Sequence, residues 1–224
     1  DIAKALHISP STVSRSLADH PDISQETKNI VNAYAREHKY KPNALALSLR
    51  TNNTKTIGVI LPQIVHYFFS SVLSGIEDEA EKGGYRVIIC QSNENYEKEV
   101  KGAQALLEAR VCGVLASVAK TTTIYNHFQE LIDSDIPMVF FDRICTGILT
   151  DRVVVDDYAG VCSAVEYLIR SGCRRIAFFG SPSHLAISNN RRMGYEDALR
   201  KNGLPVDKEL IKICDNYTEA LRLT

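Results

Sequence analysis

Two groups of residues in this chain have types and spacings that could do chemistry. The first is the stretch Ser9-Pro10-Ser11-Thr12-Val13-Ser14-Arg15-Ser16-Leu17-Ala18-Asp19. The Ser9 hydroxyl can cap a helix, and Pro10 suits the first helical position, where a missing N–H costs nothing. Val13 and Leu17 then share one face, and Ser11 and Arg15 another, flanked by Thr12, Ser14 and Ser16. No carboxylate appears on this helix before Asp19. Short hydroxyls around one guanidinium can approach a polyanion closely, donate to phosphate oxygens and reach base edges. A plain solvated helix face is the other reading. The second group is scattered: Gln63, His66, Tyr67, Phe68 and Phe69; Ser92, Asn93 and Asn95; Lys120; Asp142 and Arg143; the loop Gly180-Ser181-Pro182-Ser183-His184; and Arg191. Aromatic rings that stack on an apolar ring face, with a carboxylate and a guanidinium to bridge hydroxyls, suit a sugar or a similarly polar small molecule. Phe68 or Phe69 could instead be core, Asp142 could cap a loop, and His184 and His127 read as loop polar groups.

Chemistry of other kinds has no foothold in the sequence. There is no Gly-rich phosphate loop, no G-x-S-x-G elbow and no paired metal-ligand spacing, so no catalytic residue, metal or cofactor is expected. Gly180-Ser181-Pro182-Ser183 lacks the elbow's second glycine. Cys90, Cys112, Cys145, Cys162, Cys173 and Cys214 follow no C-x-x-C or Cys/His pattern and read as buried, reduced thiols of a cytoplasmic protein. No apolar run is long enough to span a membrane. The net charge is −1, and residues 1–50 carry seven Lys/Arg against five Asp/Glu. That head is only mildly basic, so pattern carries more weight than charge in pointing to nucleic acid.

The elements that must position these groups follow from the punctuation. Asp1 to Leu6 reads as a short amphipathic helix, and His7-Ile8 leaves room only for a tight turn into Ser9, a helix-turn-helix arrangement. Ser24 caps a third helix to about Lys39, with Ile30, Val31 and Tyr34 facing inward. Pro42 breaks the chain, Asn43 can cap a helix of barely two turns to Arg50, and the polar run to Thr56 is a linker. Beyond it, strand candidates at 57–61, 86–91, 113–118, 138–142, 153–156, 175–180 and 210–214 alternate with helix candidates at 69–82, 96–109, 122–134, 158–171 and 191–202. Gly83-Gly84, Gly172 and Gly203 stand where helices should stop. This is the rhythm of a parallel sheet covered on both faces, which binds ligands beyond the carboxyl ends of its strands. The helix-free connection after Arg143 marks a crossover to a second lobe.

Asp1 to Leu17, with Tyr40-Lys41-Pro42-Asn43-Ala44-Leu45-Ala46-Leu47-Ser48-Leu49-Arg50, resembles the lac/gal repressor family of bacterial transcription regulators, and the resemblance continues along the chain. It implies that residues 43–50 are a hinge helix pairing with that of a dimer mate in the minor groove, where Leu49 levers open a base step as an apolar wedge. On the residues alone, a linker helix with Leu45 and Leu49 packed on the head fits as well. The resemblance further implies that Phe68-Phe69-Ser70-Ser71-Val72-Leu73-Ser74-Gly75-Ile76-Glu77 opens the first core helix with effector-lining aromatics, that Asp142 is a cleft aspartate and that Arg191 holds the effector. His66-Tyr67 departs from the Asn-Pro common at that point.

The expected fold is therefore an all-α helix-turn-helix DNA-binding head joined to an α/β two-lobed core like that of periplasmic binding proteins, the second lobe truncated. The head with its hinge helix spans 1–49, the linker 50–56, lobe one 57–155 and the start of lobe two 156–224. The expected function is a homodimeric transcriptional repressor whose binding to double-stranded operator DNA is controlled by a small-molecule effector, a carbohydrate, held between the lobes. DNA contacts are expected from Ser9, Pro10, Ser11, Thr12, Ser14, Arg15, Asn43 and Leu49, and effector contacts from Tyr67, Phe68, Phe69, Asp142 and Arg191. The competing reading is a sugar-binding protein of the periplasmic type without specific DNA binding.

Overall fold

The computed structural model describes residues 2–40, 54–214 and 217–223. Two compact units divide the chain, Asp1–Asn52 and Asn53–Thr224. The proposed hinge helix, with Asn43 and Leu49, lies outside the described residues.

The first unit contains α1 (Ile2–Ala5), α2 (Pro10–Leu17) and α3 (Gln25–Glu37). His7, in the left-handed region at φ 53°, makes the turn that lets the Ile8 N–H reach the Ala3 carbonyl. Ser9 caps α2, accepting from the Thr12 N–H at 3.0 Å, and Ser24 caps α3 in the same way through Thr27. Ile2, Ala3, Val13, Val31 and Ala35 make the buried centre, with Leu6, Ile8, Leu17 and Tyr34 around it. Two expected facings are corrected. Ile30 is 51% exposed, because the buried stripe runs Lys28, Val31, Ala35 and a neighbour one position away is turned by about 100°. Ser16 is buried, three residues on from Val13, and its hydroxyl donates to the Thr12 carbonyl at 2.8 Å. The third helix stops at Glu37, with Lys39 at φ 48° just past its end.

The second unit begins with β1 (Thr56–Leu61), β2 (Arg86–Gln91), β3 (Gly113–Ala116), β4 (Met138–Phe141) and β5 (Asp151–Val153), all parallel in the order β2-β1-β3-β4-β5. Between them run α4 (Tyr67–Lys82), α5 (Tyr96–Glu108) and α6 (Asn126–Asp133). Alternation along the strands sorts the core. Ile60, Met138 and Phe140 join Leu106, Phe128 and Leu131 under α5 and α6, while Val59, Leu61 and Phe141 join Phe69 and Leu73 of α4. At Gly58, where α5 crosses β1, an added Cβ would lie 2.5 Å from a Leu106 methyl, so that buried side chain would have to shift.

The fifth strand ends where it was expected to begin. Pairing of Val139 with Asp151 and Phe141 with Val153 fixes its register, so Val154, Val155 and Asp156 follow it as connection. Thr122 likewise lies before α6, and the last two strands are shorter than expected, β6 (Phe178–Gly180) and β7 (Ile211–Ile213). These two pair in a separate parallel sheet. It is accompanied by α7 (Asp157–Arg170), α8 (Ala186–Lys201) and α9 (Tyr217–Leu223), the last absent from the sequence reading. Val165, Ile169, Ile176, Tyr195, Ala198 and Leu199 form its buried centre. Among the cysteines, Cys145 is buried, Cys173 is exposed and the other four are intermediate, so the expectation of buried thiols fails at Cys173.

Candidate functional site

The head offers one face built for close approach. Ser9, Pro10, Ser11 and Arg15 are exposed, Thr12 and Ser14 partly so, while Val13 and Ser16 point into the head. Ser9 Oγ lies 2.7 Å from Ser11 Oγ and 2.9 Å from Thr12 Oγ1, so the hydroxyls at the start of α2 form a connected donor and acceptor array. Asp19, the nearest carboxylate, is tied to Lys28 Nζ of α3 at 2.8 Å, and this lysine holds its carboxyl below the usual carboxylate range. The pairing partly offsets the negative charge at the end of α2. The arrangement is that of a helix that can donate to phosphates and project one guanidinium toward base edges.

The core holds a cleft of about 680 Å³ between its two sheets' carboxyl ends. In this strand order β1 and β3 are neighbours whose following helices lie on opposite faces, the place where an open α/β sheet takes a ligand. His66, Phe68, Phe69 and Val72 enter from the β1 side, Lys120 from beyond β3, and Phe141, Asp142 and Arg143 from the end of β4. The opposite wall comes from Ser181, Leu185, Ile187 and Arg191, with Val153, Val154 and Val155 at the back. Phe68 and Phe69 meet edge to face at 5.2 Å, and the Arg143 guanidinium sits 5.7 Å from the Phe69 ring. Charges are paired: Arg143 Nη1 donates to Glu94 at 2.8 Å, and Arg191 Nε donates to Asp157 Oδ1 at 2.7 Å. Burial pushes the Asp142 carboxyl up from its ordinary value, with Arg143 and Arg191 pulling the other way. Asp142 takes φ 57°, and its N–H donates to the Val153 carbonyl.

A buried carboxylate anchors the loop that carries Lys120. Glu99 of α5 is fully buried; its Oε2 accepts from the Ala119 N–H at 2.6 Å and its Oε1 from the Thr122 hydroxyl at 2.7 Å and His127 Nε2 at 3.0 Å. Glu94 accepts from the Lys120 N–H at 2.8 Å. The loop that carries Lys120 is thus clamped on both sides of that residue. From the other lobe, His184 Nε2 donates to the Lys120 carbonyl at 2.6 Å, a hydrogen bond that spans the cleft.

Residues 54–224 match the family described as periplasmic binding proteins and sugar binding domain of LacI family, and residues 1–43 match bacterial regulatory proteins, lacI family. The chain belongs to the LacI family. It is 33% identical over 214 residues to the HTH-type transcriptional regulator RegA of Clostridium saccharobutylicum, covering 94% of this chain and 63% of that protein. It is 33% identical over 201 residues to the ribose operon repressor of Bacillus subtilis, covering 90% and 60%. A putative ribose operon repressor from Burkholderia thailandensis superposes with TM-score 0.67 at 30% identity, covering 71% of this chain and 60% of that one. The lac repressor dimer bound to operator and the anti-inducer ONPF shares the fold, with TM-score 0.78 at 21% identity over 95% of this chain and 63% of that one. The chain spans about three-fifths of the length of these relatives.

Within this LacI-family chain, four of the five expected effector residues meet in one cleft: Phe68, Phe69, Asp142 and Arg191. Tyr67 does not line it. As the first residue of α4 it is 86% exposed, and its ring stands in solvent. Arg191 lies in the second turn of α8, which starts at Ala186 rather than at Arg191. Ser92 is buried and Asn95 caps α5, so neither they nor Asn93 line the cleft. Glu94, Glu99, Asp157 and the valines after β4's partner strand were not singled out from sequence. His127 is buried in α6, not a loop group. One signal was available: Glu99, Ala103 and Leu106 stand at helical spacing on a single buried face, and a glutamate on an apolar stripe demands internal donors.

Proposed function

We propose that the protein is a sequence-specific transcriptional repressor that acts as a homodimer in the cytoplasm. Two copies of α2 read successive major grooves of a near-palindromic operator, and a small-molecule effector of the sugar class binds in the cleft. The observation that carries this reading is the cleft itself. Its aromatic and aliphatic walls flank an acceptor, Asp142, and two guanidinium groups, in a chain whose other unit presents the exposed hydroxyl and arginine face of α2. Effector binding shifts the population of lobe angles, and the segment between the units passes that shift to the DNA contacts. No catalytic step is part of this function.

The test is a genome-wide binding map in the protein's host, followed by affinity for one mapped site. Discrete near-palindromic sites are expected, and Arg15→Ala should weaken binding to such a site by about 1–3 kcal/mol relative to random DNA. Arg191→Ala should leave ligand-free operator binding intact and remove the response to the metabolite that releases it. A map without discrete sites would return the molecule to the sugar-binding reading without specific DNA contacts.

A further inference from the structure

Both guanidinium groups that line the cleft are paired with carboxylates. Lys120, Arg143 and Arg191 line the cleft, while Glu94, Asp142 and Asp157 bring three carboxylates to the same place. Arg143 is held by Glu94 through two contacts, from Nη1 to Oε1 and to Oε2, both 2.8 Å, and its Nε lies 3.9 Å from Asp142 Oδ2. The side chains of Arg143, Glu94 and Asp142 are mostly buried, so solvent screens that pairing poorly; Asp157 is buried too, but its partner Arg191 is 47% exposed, so this second pair is the more screened. Neither Glu94 nor Asp157 lines the cleft; each stands behind the arginine that does.

Resting on the regulator reading of this cleft, we propose that Glu94 and Asp157 determine its specificity: by neutralising Arg143 and Arg191 from behind, they set it for an uncharged, polyhydroxylated ligand and against the phosphorylated forms of such molecules. A phosphoryl group carries about −1.5 to −2 charges at neutral pH. Entering this cleft, it meets guanidinium groups already compensated and a third carboxylate, Asp142, facing the same space. A hydroxyl group meets no such penalty. It accepts from the guanidinium N–H groups not directed at Glu94 or Asp157 and donates to Asp142, while Phe68, Phe69 and the three valines cover the apolar face of the ring.

Thermal unfolding of the protein and of the variants Glu94→Gln and Asp157→Asn tests this, with inorganic phosphate as probe against chloride of equal ionic strength. Glutamine keeps an acceptor oxygen for the Lys120 N–H, and the Asp157 variant leaves that loop untouched. Phosphate is excluded from protein surfaces and raises the wild type's unfolding temperature by a general, non-saturating salt effect, the baseline from which each variant's gain is read. Each variant should gain roughly 3–6 °C in phosphate once phosphate stands about tenfold above its Kd. If Glu94→Gln does not fold, Asp157→Asn alone decides. Ribose 5-phosphate and glucose 6-phosphate should shift the wild type no further than ribose and glucose do. A rise in the wild type that saturates with phosphate concentration, a greater shift by either sugar phosphate, or no gain over the wild type in a folded variant overturns the proposal. Operator DNA does not enter these measurements, so their failure leaves the regulator reading standing, and loss of operator specificity leaves the charge pairing untouched.

Discussion

Glu99→Gln is the substitution with the most exacting consequence. Glu99 Oε2 accepts the Ala119 N–H, and Oε1 accepts both Thr122 Oγ1 and His127 Nε2, all inside a region without solvent. Glutamine has nearly the same volume, so no cavity opens. Its single carbonyl oxygen can keep one side of this arrangement, while its amide must turn N–H groups toward a donor on the other. Keeping the Thr122 and His127 contacts orphans the Ala119 N–H; turning the amide saves that contact but obliges Thr122 Oγ1 and His127 Nε2 to accept rather than donate, so every hydrogen bond to a charged acceptor is lost. A buried donor left unsatisfied costs about 1–3 kcal/mol, and hydrogen bonds to charged groups contribute about 1.5–3 kcal/mol each, so the expected loss is roughly 2–4 kcal/mol. For a unit of this size each kcal/mol lowers Tm by about 2–4 °C, which puts the expected shift on the order of 10 °C. Urea unfolding of wild type and variant, followed by circular dichroism, measures it. A loss below about 1 kcal/mol would show that Glu99 is not the anchor of the loop carrying Lys120.

Substitutions at three further positions have expected outcomes. Gly194→Ala would place a Cβ 2.5 Å from the Tyr158 carbonyl oxygen and push α8 off α7, lowering the urea midpoint by the equivalent of roughly 1–3 kcal/mol. His184→Ala removes the hydrogen bond to the Lys120 carbonyl and should speed amide hydrogen exchange in residues 181–187, whereas His184→Gln, which retains a donor at that reach, should not. Because burial raises the Asp142 carboxyl above its ordinary 3.8, the folded protein holds that proton more tightly than the unfolded chain, and stability contributed by this group falls as pH rises from 3.8 through the folded value. Asp142→Asn should lack that decline and be at least as stable as wild type at neutral pH while responding less to effector; a steeper decline in the variant would refute the assignment.

The fold was legible wherever one local signal sufficed. Ser9-Pro10 and Ser24 start helices because a hydroxyl acceptor and a pre-set φ act within one turn, and both caps form as expected. Gly84, Gly172 and Gly203 adopt positive φ where helices end, for reasons equally local. The errors lie where register across elements decides. Ile30 and Val31 are adjacent and both apolar, so only the angle at which α3 meets α1 and α2 selects which is buried. The fifth strand is Asp151–Val153 rather than the more apolar 153–156, because β4 dictates which residues can pair, and hydrophobicity of the strand itself does not.

The cleft follows the same division. Phe68, Phe69, Asp142 and Arg191 were legible because strand ends and helix starts can be placed from the alternation of elements, and their chemistry was conspicuous. Their supports were not. Glu94 reaches Arg143 across 49 residues, His184 reaches Lys120 across 64, and Arg191 reaches Asp157 across 34. No spacing rule joins such pairs, since they meet only after the sheet order has brought β3 beside β4 and α8 beside α7. A polar group that touches ligand must be of a type that suits the ligand, which sequence reveals. A group that compensates it need only be of opposite charge and close in space, and this chain's 27 acidic residues leave sequence no means to choose among them. If Glu94 and Asp157 set the selectivity of the cleft as proposed, substituting them should change which ligands are admitted while the residues that face the ligand stay as they are.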